Sequence, residues 1–319
     1  MKKTLALAAL LLALPVVAAA QAFPTKPIRI VVTYPAGGGA DMMARLVAPK
    51  MSEALGQPVV VENKPGASGQ IAAGEVARAA PDGHTLLLDA LSFSVNPSLY
   101  SKLPYDPAKA FTPLAVLALF PNMLVVTPSF PARDVGELIA LAKTKPATIA
   151  YASSGNGSAQ HLAGELFRQK AGVDLTHVPY KGGAPALTDV MGGQVPVFFA
   201  NMASGLQHVK SGRLRALAIT GAKRSAALPE APTIAEAGVP GYEVYEWNAI
   251  FAPAGTPAAT IAKLADAIAK ATAAPEFRDK VASLGGELTG YGPAEAERFI
   301  RQQTELWGAV VRAGNIKVE

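Results

Sequence analysis

The sequence predicts an α/β protein in which two lobes of mostly parallel sheet are joined by two crossover strands, with a hinged cleft between them. The first observation is that short apolar runs alternate with helical stretches in both halves of the chain, as in βαβ units. The second is a pair of apolar runs, 122–127 and 244–252, that separate the two sets of units. We interpret these runs as the strands that enter the second lobe and return from it.

The first 22 residues are predicted to be a cleavable signal peptide. A basic start is followed by an apolar run, 5–17, that is too short to span a bilayer, and by the small-x-small site 20–22. The alternative is an N-terminal membrane anchor, which the short apolar run disfavours. The sequence has no cysteine, hence no disulfide and no lipoprotein attachment site. We expect a soluble periplasmic protein whose mature chain begins at Phe23.

Length and charge limit the remaining classes. The 319 residues carry a formal net charge of +5, and the basic residues are scattered apart from the stretch 210–224. They are not interleaved with aromatics, so nucleic acid is a poor candidate partner. A mildly basic surface suits acidic small molecules. The mature chain is long enough for two lobes with their own cores, which we place at 23–124 plus 252–319 and at 125–251.

The elements of lobe 1 follow from apolar runs, turn residues and helical spacing. In order we predict strand 28–32, helix 42–55, strand 59–62, a glycine-rich turn at 63–69, helix 70–79, strand 85–88 and a loop-rich stretch at 98–118. After the return crossover the chain closes lobe 1 with helices 257–273 and 294–311, the first of which has apolar residues at helical spacing.

Lobe 2 repeats the same pattern of strand, Gly/Ser turn and helix. In order we predict helix 135–144, strand 149–152, a turn at 153–158, helix 159–171, strand 176–179, a turn at 180–183, helix 184–192, strand 195–200, helix 203–211 and strand 214–220. In parallel sheets the ligand binds at the carboxyl ends of the strands, so the turns that follow the strands are the candidate binding loops.

The first of these turns, Tyr-Pro-Ala-Gly-Gly-Gly-Ala-Asp at 34–41, lies between a buried strand and a helix start. Ala36, Gly37, Gly38 and Gly39 could offer backbone N–H groups to an anion at the helix N-terminus. The alternative is a tight turn with nothing bound. Asp41 is expected mainly to cap the helix, with contact to a ligand as the second possibility. Neither G-K-[ST] nor G-x-G-x-x-G is present, so nucleotide loops do not fit.

Several long motifs resemble one known family. They are YPAGGGAD (34–41), ENKPGASGQIAA (62–73), PDGHTLLL (81–88), SSGNGSAQHLAGELF (153–167), HVPYKGGAPALTDVMGGQV (177–195), GRLRALAITGAKRS (212–225), LPEAPTIAEAGVPGYE (228–243) and FAPAGTP (251–257). Together they resemble the Bug family, the periplasmic receptors of tripartite tricarboxylate transporters. The resemblance covers nearly the whole mature chain. It implies a type II-like periplasmic binding protein fold, a monomer without cofactor that closes on a carboxylated solute and delivers it to a membrane permease.

The resemblance also suggests a second binding loop that faces the first. This loop comprises Ser153, Ser154, Gly155, Asn156, Gly157 and Ser158. Its hydroxyls and amides can bind a second carboxylate without a full charge. The alternative is an ordinary helix N-cap at Ser154 or Ser158. His161 lies one helical turn further on and either donates to the ligand or packs structurally.

The remaining candidates stand at other strand ends or on the crossover. They are Tyr34 and Phe93 as pocket walls, Ser92, Gly182 and Gly183 in turns, Asn201 after a buried strand, and Trp247 on the return crossover. The aromatics could equally be core residues, and Asn201 could only cap the next helix. We expect Lys181 to be solvated rather than to bind the ligand.

Two functions other than transport remain open. An exported hydrolase or isomerase could use Ser158, His161 and an acid such as Asp41, although the G-x-S-x-G elbow is missing. A receptor that reports to a sensor kinase would differ from a transport receptor only in its surface chemistry. The four histidines, at 84, 161, 177 and 208, lack the spacing of metal ligands. The ligand is left open among dicarboxylates, acidic amino acids and aromatic acids.

Overall fold

The strands of the computed structural model, which describes residues 23–317, form one mixed sheet. They are β1 (Ile28–Val32), β2 (Val59–Asn63), β3 (Thr85–Ala90), β4 (Phe111–Val126), β5 (Ala150–Ser153), β6 (Thr176–Pro179), β7 (Val197–Asn201), β8 (Arg215–Ile219), β9 (Tyr245–Pro253) and β10 (Glu287–Tyr291). The predicted signal peptide and its cleavage site precede Phe23 and lie outside the described residues.

The sheet has two parallel wings and an antiparallel centre. Its strand order is β2-β1-β3-β9-β4-β7-β5-β6, with β8 and β10 also pairing with β4. In one wing β1 is parallel to β2 and β3, and in the other β5 is parallel to β6 and β7. The pairs that include β4 or β9 are antiparallel. This arrangement confirms the predicted α/β fold with two crossover strands.

The first crossover is longer than predicted, because β4 begins at Phe111 and not near Asn122. The prediction of a loop over 98–118 was therefore wrong in its second half. Pro113 lies beside an irregularity in the pairing with β9, where its missing N–H is tolerated. Residues 111–121 pair with β9, and 122–126 pair with β7 and β8. One strand thus runs through both wings, while the lobe boundaries at 124/125 and 251/252 stay a prediction.

The helices cover both faces of the sheet. They are α1 (Gly39–Leu55), α2 (Gln70–Ala77), α3 (Ser92–Leu99), α4 (Val135–Thr144), α5 (Ala159–Ala171), α6 (Gly183–Met191), α7 (Met202–Lys210), α8 (Ala258–Ala273), α9 (Pro275–Ser283) and α10 (Pro293–Ala313). A 3₁₀ turn at Ala67–Gly69 precedes α2. The sequence did not predict α3, α9 or β10. Within residues 23–317, no helix combines the length and the apolar character that crossing a membrane requires.

Helix α1 starts three residues earlier than predicted, directly after the glycine-rich turn. Its buried side, which includes Met43 and Val47, packs in a core with Ile30 of β1 and Leu264 of α8. Glycine at position 38 adopts extended backbone angles and caps the helix without a side chain. The first amides of α1 therefore lie at the carboxyl end of β1, on the same edge of the sheet as the other strand-end loops.

Candidate ligand-binding cleft

Two adjoining cavities lie at the carboxyl ends of the parallel strands. Their volumes are about 560 and 450 Å³. Both are lined by Tyr34, Pro35, Ser154, Lys181 and Gly182, so they form one continuous cleft. The lining comes from the loops after β1, β2, β3, β5 and β6, from α6 and α7, and from the start of β9. Loops from both wings of the sheet thus meet around one space.

The backbone amides of the first loop differ in what they can offer a ligand. Among residues 23–317, the N–H groups of Ala36, Gly39 and Ala40 donate no hydrogen bond. These three residues line the larger cavity. The N–H of Gly37, by contrast, donates to Asp41 Oδ2 at 2.9 Å. The N–H of Gly38 donates to the carbonyl of Pro35 at 3.4 Å. Because an amide that is already bonded does not bind an anion, the structure assigns the free donors to Ala36, Gly39 and Ala40, not to Gly37 or Gly38.

Asp41 forms hydrogen bonds that hold the first loop and does not line either cavity. Its position argues against the predicted contact with a ligand. Its buried carboxylate accepts from the N–H of Gly37, from Asn63 Nδ2 at 2.9 Å and from Arg45 Nε at 3.0 Å. Burial alone would raise the pKa of Asp41, but the hydrogen bonds from Arg45, Gly37 and Asn63 outweigh it and hold the pKa below its usual value. The role of Asp41 is therefore structural: its hydrogen bonds fix the turn before α1, and we call it a brace in this sense.

The second predicted loop, 153–158, contributes four of its residues to the cleft: Ser154, Gly155, Asn156 and Ser158. Ser158 is the N-cap of α5, with its Oγ accepting from His161 N at 3.3 Å and donating to the carbonyl of Gly155 at 2.7 Å. The other two predicted residues face away from the cleft. Ser153 is fully buried, and a Cβ added at Gly157 would meet Leu99 Cδ1 at 2.8 Å.

His161 holds this loop and is not part of the cleft lining, which favours its structural alternative over the predicted contact with a ligand. Its buried Nδ1 accepts from the N–H of Gly157 at 3.1 Å, and its ring stacks on His177 at 3.9 Å. Burial, and secondarily the nearby charge of Arg168, lowers the pKa of His161 to about 4. Burial and the neighbouring His161 lower the pKa of His177 to about 3. His177 Nε2 in turn bonds Ser153 Oγ at 2.6 Å.

The contacts of Ser158, His161 and Asp41 do not form a catalytic relay. The hydroxyl of Ser158 bonds backbone groups, and the ring of His161 is engaged with Gly157 and His177. The carboxylate of Asp41 is bonded on the far side of α1. In the part of the chain described, 23–317, no cluster of three or more histidine, cysteine, aspartate or glutamate residues is arranged to hold a metal ion.

Of the predicted aromatic walls, Tyr34 lines the cleft, whereas Phe93 and Trp247 do not. Phe93 stacks on Phe251 with ring centroids 4.3 Å apart, inside the core. Trp247 is fully buried against Phe299. The cause is the alternation of side chains along a strand, which turns Trp247 of β9 towards α10 and its neighbour towards the cleft. Both predicted wall positions are therefore corrected to core positions.

Tyr34 is tied to a buried carboxylate through Ser92, which lines the smaller cavity. The hydroxyl of Tyr34 donates to Ser92 Oγ, and that hydroxyl donates to Asp89 Oδ1, each at 3.0 Å. Burial raises the pKa of Asp89 to about 6, although hydrogen bonds from Thr33, the N–H of Ala90 and Ser92 oppose the shift. Burial likewise raises the pKa of the Tyr34 phenol well above its usual range. This chain fixes the orientation of the Tyr34 ring in the cleft wall.

The third group of predicted residues lies where expected, at the ends of β6 and β7. Gly182 and Gly183 line the larger cavity, as does Asn201. Asn201 also caps α7, because its Oδ1 accepts from Ala203 N at 2.8 Å. Lys181, which was expected to be solvated, lines both cavities while remaining exposed.

Sequence reasoning missed a carboxylate that faces the free amides. Glu246 of β9 lines the larger cavity, and its Oε2 accepts from Asn201 Nδ2 at 2.6 Å and from Gln160 Nε2 at 3.0 Å. Burial raises the pKa of Glu246, and the hydrogen bonds from Asn201 and Gln160 oppose that shift. Successive side chains of a strand point to opposite faces. If Trp247 of the predicted crossover strand had been assigned to the core, its neighbour Glu246 would have been placed on the cleft face. Other unpredicted lining residues are Pro65, Gly66, Ala67, Ser68, Leu187, Thr188, Met191, Ser204 and His208.

Comparison with known proteins identifies the group to which this cleft belongs. Residues 43–316 match the family described as tripartite tricarboxylate transporter family receptor. The chain belongs to this family. Protein BugT of Bordetella pertussis is 36% identical over 302 residues, which cover 94% of this chain and 93% of BugT. The resemblance to the Bug receptors is thereby confirmed.

Solved structures agree with this assignment. Rpa4515 of Rhodopseudomonas palustris, solved with adipate, is 38% identical and superposes with a TM-score of 0.88 over 93% of this chain and 100% of that one. MatC from the same organism, solved with bound malate, is 34% identical with a TM-score of 0.85 over 91% of this chain and 100% of that one. This Bug-family receptor therefore has a periplasmic binding protein fold, and two proteins similar to it bind dicarboxylates.

Proposed function

We propose that this receptor works in the periplasm, where it binds a small organic carboxylate and delivers it to the membrane permease of a tripartite tricarboxylate transporter. The observation that carries the proposal is a set of amides, those of Ala36, Gly39 and Ala40, that have no partner within residues 23–317 and lie in a cleft between two sets of strand-end loops. Amides at a helix N-terminus favour anions, because they lack intrahelical acceptors and the helix dipole adds partial positive charge. The adipate and malate complexes of similar proteins support a carboxylate as the ligand.

In this proposal one carboxylate binds the amides at the start of α1, and the hydroxyl of Ser154 with the amide of Asn156 binds the other polar end. Closure is supported by a contact between the two sides of the cleft: Ser68 Oγ donates to the carbonyl of Asn156 at 3.1 Å. Since β4 runs through both wings of the sheet, a change in its twist would move one set of loops relative to the other. We infer a monomer that acts without a catalytic step, with a signal peptide at 1–22 and lobes at 23–124 plus 252–319 and 125–251.

A matched pair of variants at Gly39 tests the anion site. Gly39→Pro removes one free N–H, and proline is well tolerated at the first position of a helix after an extended residue such as Gly38. Gly39→Ala is the control, because it keeps the N–H and its Cβ would have no neighbour closer than 3.8 Å. Calorimetric titration with dicarboxylates, amino acids and aromatic acids is expected to find a ligand that Gly39→Pro binds about tenfold or more weakly than Gly39→Ala.

Two results would count against the proposal. If no acid of the panel binds the wild-type protein, the carboxylate assignment fails. If the proline and alanine variants bind equally, the amides of α1 are not the anion site. The permease step has its own test, since deletion of the gene is expected to abolish high-affinity uptake of the bound acid by whole cells. Unchanged uptake would leave a receptor without a transport role.

A further inference from the structure

The carboxylate of Glu246 lies next to the proposed anion site and limits which ligands can bind there. This inference rests on the proposed function and specifies its ligand class further. Oε1 of Glu246 has no hydrogen-bond partner within residues 23–317, whereas Oε2 is held by Asn201 and Gln160. A Cβ added at Gly39 would lie 3.8 Å from Oε1. The free oxygen therefore faces the space beside the first amides of α1.

The charged side chains around the cleft leave this oxygen without a cationic partner. Lys181 is exposed on the loop after β6, and His208 of α7 also lines the larger cavity. Burial lowers the pKa of His208, with the charge of Arg213 as a second cause, so its ring is neutral at neutral pH. Arg45 lies behind the loop and is bonded to Asp41. Within residues 23–317, the hydrogen bonds to the Glu246 carboxylate come from Asn201 and Gln160, not from Lys181 or His208.

A ligand carboxylate bound to the amides of Gly39 and Ala40 would place its adjacent carbon near Glu246 Oε1. A second anionic group there would be repelled, because like charges at this range disfavour each other in a partly buried site. An ammonium group there would gain a charge-assisted hydrogen bond. We propose that the ligand carries an ammonium group on the carbon next to its carboxylate, so that Glu246 selects α-amino acids over simple dicarboxylates.

Sets of acids with one carbon skeleton test this selection directly. Each set differs only at the carbon beside the carboxylate, which carries hydrogen, hydroxyl or ammonium: succinate, malate and aspartate; glutarate, 2-hydroxyglutarate and glutamate; 3-phenylpropionate, 3-phenyllactate and phenylalanine. Calorimetric titration of the mature protein is expected to show that, in the set that binds best, the ammonium compound binds about tenfold or more tightly than the unsubstituted acid. Equal or tighter binding of the unsubstituted or hydroxylated acid overturns the inference.

The variant Glu246→Gln tests whether Glu246 causes the preference for the ammonium compound. The amide keeps the shape of the side chain and can place an N–H donor where Oε1 was. The variant is expected to lose about tenfold in affinity for the ammonium compound and to bind the unsubstituted acid more tightly than the wild type does. Glu243→Gln is the matched control, since Glu243 is exposed and does not line the cleft, and it should leave the ranking unchanged. Circular dichroism and melting temperature report whether each variant is folded.

The outcomes separate this inference from the proposed function. If acids bind but the preference for ammonium is absent, or survives in Glu246→Gln, the receptor assignment stands and the role of Glu246 is refuted. If no acid of any set binds, the carboxylate-receptor proposal fails and the selection by Glu246 fails with it.

Discussion

Replacement of Asp41 by asparagine tests whether this residue is a brace or a ligand contact. The carboxylate accepts from the N–H of Gly37 and from Asn63 Nδ2, each at 2.9 Å, and from Arg45 Nε at 3.0 Å. The amide of asparagine has the same shape but offers one acceptor oxygen and two N–H donors. In Asp41→Asn, at least one N–H of the new side-chain amide therefore faces a group that is itself a donor. The guanidinium of Arg45 also loses its charged partner.

The structure allows the size of this effect to be estimated. A hydrogen bond to a charged group contributes roughly 1.5–3 kcal/mol. The loss is partly compensated, because Arg45 has a side chain 54% exposed to solvent and Asn63 Nδ2 also donates to the carbonyl of Tyr34. We therefore expect Asp41→Asn to lower the free energy of unfolding by about 2 kcal/mol, equivalent to roughly 4 °C in melting temperature for a chain of this size. Ligand affinity is expected to fall by about tenfold without a change in ligand ranking, because the loop is loosened but its amides remain.

Urea unfolding at a series of pH values is the assay. The folded-state pKa of Asp41 lies below its usual value of 3.8, so its stabilisation is fully present above that value and is lost as the pH falls through the lowered pKa. The difference between wild type and Asp41→Asn should therefore be constant near neutral pH and shrink in acid. Asp266→Asn is the control: Asp266 forms an exposed i,i+4 pair with Lys270, and its loss should cost about 0.5 kcal/mol or less.

Two results would refute the interpretation of Asp41 as a brace. One is an Asp41→Asn variant as stable as Asp266→Asn at neutral pH, since a carboxylate that merely lines a cleft contributes little to folding. The other is a changed ligand ranking at unchanged stability, which would make Asp41 a ligand contact after all.

Three further predictions concern packing, pH and closure. Gly164→Ala would place a Cβ in steric conflict with the ring of the fully buried Tyr151, so we expect the free energy of unfolding in urea to fall by roughly 1–3 kcal/mol. An unchanged midpoint would contradict the packing. The pKa values of His161 and His177 are lowered to about 4 and 3 in the folded state. Just below pH 6.5, therefore, only the unfolded state protonates these two rings. The free energy of unfolding should fall by roughly 3 kcal/mol for His161 alone between pH 6.5 and 4. A pH profile of unfolding that is equally steep in His161→Gln would oppose this. Ser68→Ala removes a hydrogen bond across the cleft and should weaken ligand binding about fivefold, mainly through faster dissociation in stopped-flow measurements, and an unaltered dissociation rate would exclude it as a closure contact.

Much of the fold followed from local patterns in the chain. Apolar runs such as 28–32 and 195–200 predicted buried strands, and glycine or serine turns after them predicted helix starts, because hydrophobic periodicity and turn chemistry act over a few residues. The long strand β4 was shortened in the prediction, which took 98–118 as loop-rich. The structure extends the strand back to Phe111, and the irregular pairing with β9 accommodates Pro113. Helix α3 was missed because it contains Pro97 and begins directly at a strand end.

The candidate site was predicted loop by loop but not side chain by side chain. The loops at 34–39, 153–158 and 180–183 do meet in one cleft, as parallel strands with a common edge require. Outside these loops, the sequence left His161 and Trp247 undecided between a ligand contact and a structural role, and the structure places both in buried packing positions. Both are side chains whose surroundings come from distant parts of the chain, His177 in one case and Phe299 in the other.

The sequence by itself therefore determined the order of most elements, the two-wing α/β architecture and the main backbone loops that surround the cleft. The tertiary structure alone decided which amides of the first loop are free and which carboxylate faces them. The physical reason is that hydrogen-bond partners are chosen by proximity in space. Asn63 helps to hold Asp41 from 22 positions away, and Asn201 orients Glu246 from 45 positions away, distances over which local propensity carries no information.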